Sequence, residues 1–161
     1  MIVNYDKVIE EEVPMFKKSV EDALAFIKAK YPHLCFCGLT INLKSFVAGS
    51  NFRASKSKGW SVNVSPEYKF HLYNRKNCGF TTPSSGIKIP IEVDATRILI
   101  HELTHYAQGV LGGGVYSEID TTKNEIEYFR VYHPEIYAKL RKTAKPQLKI
   151  KTNLEKIYET K

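Results

Sequence analysis

The chain has 161 residues, 43% of them hydrophobic and 25% charged, with a formal net charge of +7. That length supports one domain with a core and excludes two large lobes. No apolar run is long enough to span a bilayer, and the N-terminus carries Glu10-Glu11-Glu12 instead of a basic and then apolar leader. A soluble, cytoplasmic or otherwise intracellular protein with no membrane partner is therefore expected.

In chain order, Pro14 followed by Phe16, Val20, Leu24 and Ile27 predicts an amphipathic first helix, ended by Tyr31-Pro32. Cys35, Cys37 and Cys78 are an odd and sparse set, read as small buried thiols and not as a disulfide framework. Strands are expected at residues 36–43, around Trp60, Val62 and Val64, and around Tyr68, Phe70 and Leu72. Trp60 is expected in the core, and His33 and His71 on the surface. Ile87, Ile89, Ile91 and Val93 alternate with polar residues and Pro90, which predicts an edge strand leading to Asp94 as a helix N-cap. The polar segments 49–59 and 76–86 read as loops. A helix follows from Asp94 to Leu111, stopped by Gly112-Gly113-Gly114, and a second runs from Thr121 to Arg130. Residues 1–143 are expected to form the domain and residues 144–161 a basic tail, since positions 141–161 hold seven Lys or Arg against two Glu. Such a tail is by default solvated, and it offers a surface to nucleic acid or an acidic partner.

Residues 101–105 read His-Glu-Leu-Thr-His. Four residues carry an α-helix slightly past one turn, so His101 and His105 share a face and can hold one metal ion. Glu102 stands roughly 100° around the helix from His101, on the flank of that face. There a carboxylate can take a proton from a metal-activated water. Leu99, Ile100, Leu103, Tyr106, Ala107 and Val110 occupy the opposite side and are expected to face a core.

A third ligand is sought on the next helix. Glu125 projects into a face formed by Ile126, Phe129 and Tyr132, with Tyr128 at its edge, while Glu127 points away beside Arg130. A carboxylate among apolar residues is costly unless a cation meets it, and a divalent metal would. Thr122-x-x-Glu125 also fits a capping box, which explains the same residue by a backbone contact. Glu125 is the expected ligand; Glu127, His133, Glu118 and Asp120 are the alternatives.

His101-Glu102-Leu103-Thr104-His105 followed after nineteen residues by Glu125 resembles the zincin metallopeptidases, specifically their gluzincin branch, over about residues 94 to 133. The resemblance implies one zinc per chain on His101, His105 and Glu125, and Glu102 as the general base of a peptidase acting on protein or peptide. It departs from the gluzincin pattern at Phe129, where an aspartate is common. No third histidine follows closely in the metzincin manner, and of the histidines only His133 could serve as an SprT-like third ligand. The fold expected is α+β: an N-terminal helix, a small antiparallel or mixed sheet, the His-pair helix and a glutamate-bearing helix. Tyr128, Tyr132 and His133 are candidate oxyanion donors, although aromatic residues at helical spacing are more often core. The competing readings are a structural-zinc or inactive zincin-like binding domain, and a basic nucleic-acid-associated protein.

Overall fold

The chain begins as a strand, β1 (Ile2–Lys7), which is not among the expected strands and whose residues show no alternate burial. The computed structural model describes residues 1–45, 52–56, 68–74, 80–81, 89–112 and 117–143, and Leu154. A 3-10 turn at Glu10–Glu12 leads into α1 (Val13–Lys30), with Pro14 in its first turn where a missing N–H costs nothing. Phe16, Val20, Ala23, Leu24 and Ile27 form its buried stripe, and the helix stops as expected at Tyr31, before Pro32.

β2 (Leu39–Ser45) buries Leu39, Ile41 and Leu43 and leaves the alternate residues half-buried, the period of a sheet with one covered face. It runs parallel to β1, and the return is made through α1, as parallel pairing requires a crossover. β3 (Phe52–Lys56) and β4 (Tyr68–Asn74) complete a mixed sheet of order β1-β2-β4-β3, in which β4 is parallel to β2 and β3 is antiparallel to β4. β3 lies in the segment expected to be a loop. The strand expected around Trp60 lies outside the described residues, as does Cys78.

Of the strand expected over 87–93, residues 89–90 form β6 (Ile89–Pro90), paired with β5 (Phe80–Thr81), and residues 87–88 lie outside the described ones. Ile91 already begins α2 (Ile91–Leu111), so Asp94 lies in its first turn and not at its N-cap. The alternation misleads here because Ile91, Ala95, Ile98 and Leu99 also fit a helical stripe, and Pro90 is suited to the position just before a helix. Leu99, Ile100, Leu103, Tyr106 and Ala107 are buried as expected, whereas Val110 is exposed. Gly112 closes the helix: its N–H donates to the Gln108 carbonyl at 3.0 Å, and a Cβ there would stand 2.9 Å from the same oxygen.

α3 (Glu118–Tyr132) starts three residues earlier than expected, with the Ser117 hydroxyl accepting from the Ile119 N–H at 3.1 Å. Thr122 is then interior, so the Thr122/Glu125 capping box does not form. Pro134 both ends the preceding segment and opens α4 (Pro134–Thr143), which the sequence reading lacks. Cys35 and Cys37, expected as buried thiols, are exposed and joined by a disulfide. Among the described residues, no helix is long and apolar enough to cross a membrane.

Leu154, within the stretch read as a solvated tail, is 1% exposed and belongs to the core cluster. Leu154→Ala should therefore destabilise the protein by about 2–4 kcal/mol in denaturant unfolding. An unchanged midpoint would show that this side chain does not pack.

Candidate metal centre

α2 and α3 pack against each other, and a buried polar contact fixes their register. Asn124 Nδ2 donates to Thr104 Oγ1 on α2 at 2.9 Å and to the Tyr31 hydroxyl at 2.7 Å. Asn124 and Thr104 are buried, so a slip of either helix would strand polar groups away from water. In this register α3 runs back along α2, with Glu118 beside His105 and His101, and Glu125 beside His101 and Arg97.

The two imidazoles are oriented by acceptors at their Nδ1 atoms. His101 Nδ1 lies 2.9 Å from Glu125 Oε1, and His105 Nδ1 lies 2.8 Å from Gln108 Oε1. Gln108 is itself held, because its Nε2 donates to Asp120 Oδ2 at 2.8 Å and to the Ser117 carbonyl at 2.7 Å, which leaves its oxygen facing His105. An acceptor at each Nδ1 favours a proton there and turns Nε2 outward. Both Nε2 atoms meet Glu118, at 3.3 Å from His101 and 3.0 Å from His105. Neutral rings in this tautomer would aim two lone pairs at a carboxylate, an arrangement that only protons or a cation can reconcile. Ligand atoms about 2.1 Å from a tetrahedral zinc stand roughly 3.4 Å apart, near these two imidazole–carboxylate separations, each of which is made to a different Glu118 oxygen.

The carboxylate that the structure brings to both Nε2 atoms is that of Glu118, and the expected ligand Glu125 meets His101 at Nδ1 instead. Among the described residues, the group with metal-ligating atoms mutually within 4.8 Å is His101, His105 and Glu118. Glu125 instead accepts from His101 and from Arg97 Nη1 at 3.0 Å, and Asp94 holds Arg97 Nε at 2.7 Å. The demand that a half-buried carboxylate find a cation is met by Arg97. Glu127 pairs with Lys30 and not with Arg130. His133 is bound to the Tyr128 hydroxyl at 3.1 Å, and Tyr132 is exposed. Glu102 is half-buried on the flank of the His face.

Glu118, Gln108, Asp120 and Arg97 had weak signals in the sequence. Ser117-Glu118-Ile119-Asp120 is an N-cap with an acidic first turn directly after a glycine-rich connection, which marks an antiparallel helix pair. Gln108 lies one turn from His105 on the same face.

Charge at the site is tightly coupled. Burial works against a proton on His101, but Glu125, Glu102 and Glu118 together outweigh it and raise its pKa above the ordinary value. Burial also opposes the Arg97 charge, and Asp94 and Glu125 override it. Desolvation pushes the Tyr128 hydroxyl up to about 12, as for a core tyrosine. Proton and cation are alternative ways of satisfying the same three carboxylates around His101. Exposure is divided usefully: the His105 side chain is 8% exposed and that of Glu118 is 72% exposed, so the group has a buried floor and an open side.

Gln108→Ala should leave the His105 Nδ1–H without its acceptor. We expect a loss of about 1–3 kcal/mol in stability and of roughly 10–100-fold in metal affinity, read by denaturant unfolding and metal titration. A variant with unchanged affinity would show that His105 is oriented by packing alone.

Comparison with protein-family models, with curated proteins and with solved structures returns no match for this chain.

Proposed function

We propose that the protein is a zinc-dependent peptidase of the zincin type, in which His101, His105 and Glu118 hold one metal ion and Glu102 is the general base. The observation that carries this reading is the convergence of two Nε2 atoms on one carboxylate, with an acceptor behind each ring at Nδ1. Two imidazoles and one carboxylate suit zinc, although the same set serves nonhaem iron. A base on the flank of the site favours zinc and hydrolysis, because a purely structural metal has no use for one.

When bound, the ion would supply Lewis-acid chemistry, lowering the pKa of water and polarising a carbonyl. The chain's own residues supply the rest. Glu125 and Gln108 hold the two imidazoles in place. The exposed side of Glu118 leaves room for a substrate. Glu102 accepts the proton of the attacking water and delivers it to the leaving amine. β3 ends the strand order among the described residues and contacts α2, so an extended peptide could pair along it. That geometry favours unstructured protein segments as substrates.

Metal analysis of the purified protein tests the reading directly. We expect about one zinc per chain, and cleavage of an unstructured protein that stops on chelation and returns with zinc. Folded protein that takes up no metal on titration would sink it.

A further inference from the structure

Cys35 and Cys37 lie in the turn between α1 and β2, and both are exposed. They are linked to each other with Cα atoms 5.6 Å apart. A cross-link that spans one intervening residue removes little entropy from the unfolded chain, since that gain grows with the length of the loop closed. A structural staple is therefore a poor account of this pair, and accessibility is its distinguishing property.

The backbone around the two sulfurs is clamped. The Tyr106 hydroxyl donates to the Cys35 carbonyl at 2.6 Å, the Phe36 ring stacks on Tyr106 at 6.1 Å, and Lys28 Nζ lies 5.6 Å from the centre of the Phe36 ring. None of these contacts involves sulfur, so reduction of the bond removes none of them. The sulfurs are also unequal. The Cys37 N–H points at Cys35 Sγ, 3.3 Å away, and so would stabilise negative charge on Cys35.

We propose that Cys35 and Cys37 form a redox-active pair that exchanges with low-molecular-weight disulfides of the glutathione class, with Cys35 as the attacking sulfur. The Cys35 thiolate attacks one sulfur of the small disulfide, whose S–S bond breaks and releases one thiolate. The Cys37 thiolate then attacks Cys35 in the mixed disulfide, forming the Cys35–Cys37 bond and releasing the second. The protein dithiol is oxidised by two electrons, the small disulfide is reduced to two thiols, and the two cysteine protons pass to the released thiolates. This inference stands apart from the metal centre and does not depend on it.

The test uses the intact chain, reduced, freed of reductant and equilibrated with mixtures of reduced and oxidised glutathione, then quenched by alkylation and mapped by peptide mass. Cys35 and Cys37 should lose alkylation together in one two-electron step, without a lasting glutathione adduct, while the Cys78 peptide is scored separately. In Cys37→Ser glutathione should accumulate on Cys35, and about tenfold faster than it accumulates on Cys37 in Cys35→Ser, as expected for a larger thiolate fraction. Wild-type thiols that remain free at every ratio, or that end as stable mixed disulfides, would overturn the redox pair. Equal rates in the two variants would overturn the assignment of Cys35 as attacker.

Discussion

Glu102→Gln should retain a full complement of zinc and an unchanged melting temperature, and lose hydrolysis by at least ~10²-fold, the usual effect of removing a general acid-base group. The substitution keeps the side chain's size and polarity and removes only its capacity to accept a proton. Neither Nδ1 atom that orients the imidazoles relies on Glu102, since those positions are held by Glu125 and Gln108. The metal group therefore stays assembled while the proton transfer fails. The decisive measurements are zinc content, thermal unfolding and cleavage rate on the same preparation. Full zinc with undiminished cleavage would mean that another base operates or that the cleavage is foreign. Loss of zinc would make Glu102 a ligand, contrary to the geometry.

His101→Ala and Glu118→Gln should each release the metal at concentrations that saturate the unaltered protein. A structural zinc site contributes about 10–16 kcal/mol in all, so one ligand of four corresponds to roughly 2.5–4 kcal/mol, or about 10²–10³-fold in affinity. Glu125→Gln should do less, about 10–100-fold, because its carboxylate acts on the metal through the His101 ring. The order of the three variants in a competitive zinc titration is the test. If Glu125→Gln empties the site while Glu118→Gln leaves it filled, Glu118 is only an exposed acid at a helix start and Glu125 is the ligand. The distances argue otherwise, since Glu118 faces both Nε2 atoms and Glu125 faces a single Nδ1.

Which of the two glutamates stands beside the Nε2 atoms is a matter of helical phase. Seven residues separate them, close to two turns, so both lie on one face of α3 roughly 10.5 Å apart along its axis. Either could meet a histidine; which one does depends on how far α3 slides along α2. The Asn124 contacts with Thr104 and Tyr31 set that slide, and they join residues distant in sequence. The requirement that Glu125 find a cation was sound, but sequence could not show that Arg97, two turns and more before the His105 position, would supply it.

The sequence by itself determined what local periodicity can encode. A 3.6-residue repeat placed the buried stripes of α1 and α2 and set His101 and His105 on a common face, with Glu102 on its flank. Strand propensity placed a strand over residues 36–43, where β2 (Leu39–Ser45) lies. The α+β class followed from their order, while the choice between an antiparallel and a mixed sheet came only with the parallel pairing of β1, β2 and β4. Tertiary structure decided everything that depends on where one element lies against another: which carboxylate stands beside the two histidines, the partners of Glu125 and Glu127, and the burial of Leu154. It also decided the exact first turns of α2 and α3, because Ile91 satisfies a strand and a helix equally until its neighbours are in place. The reason is physical: a repeat along the chain fixes which side of an element is apolar, while contacts between elements depend on their relative rotation and translation, which only packing settles.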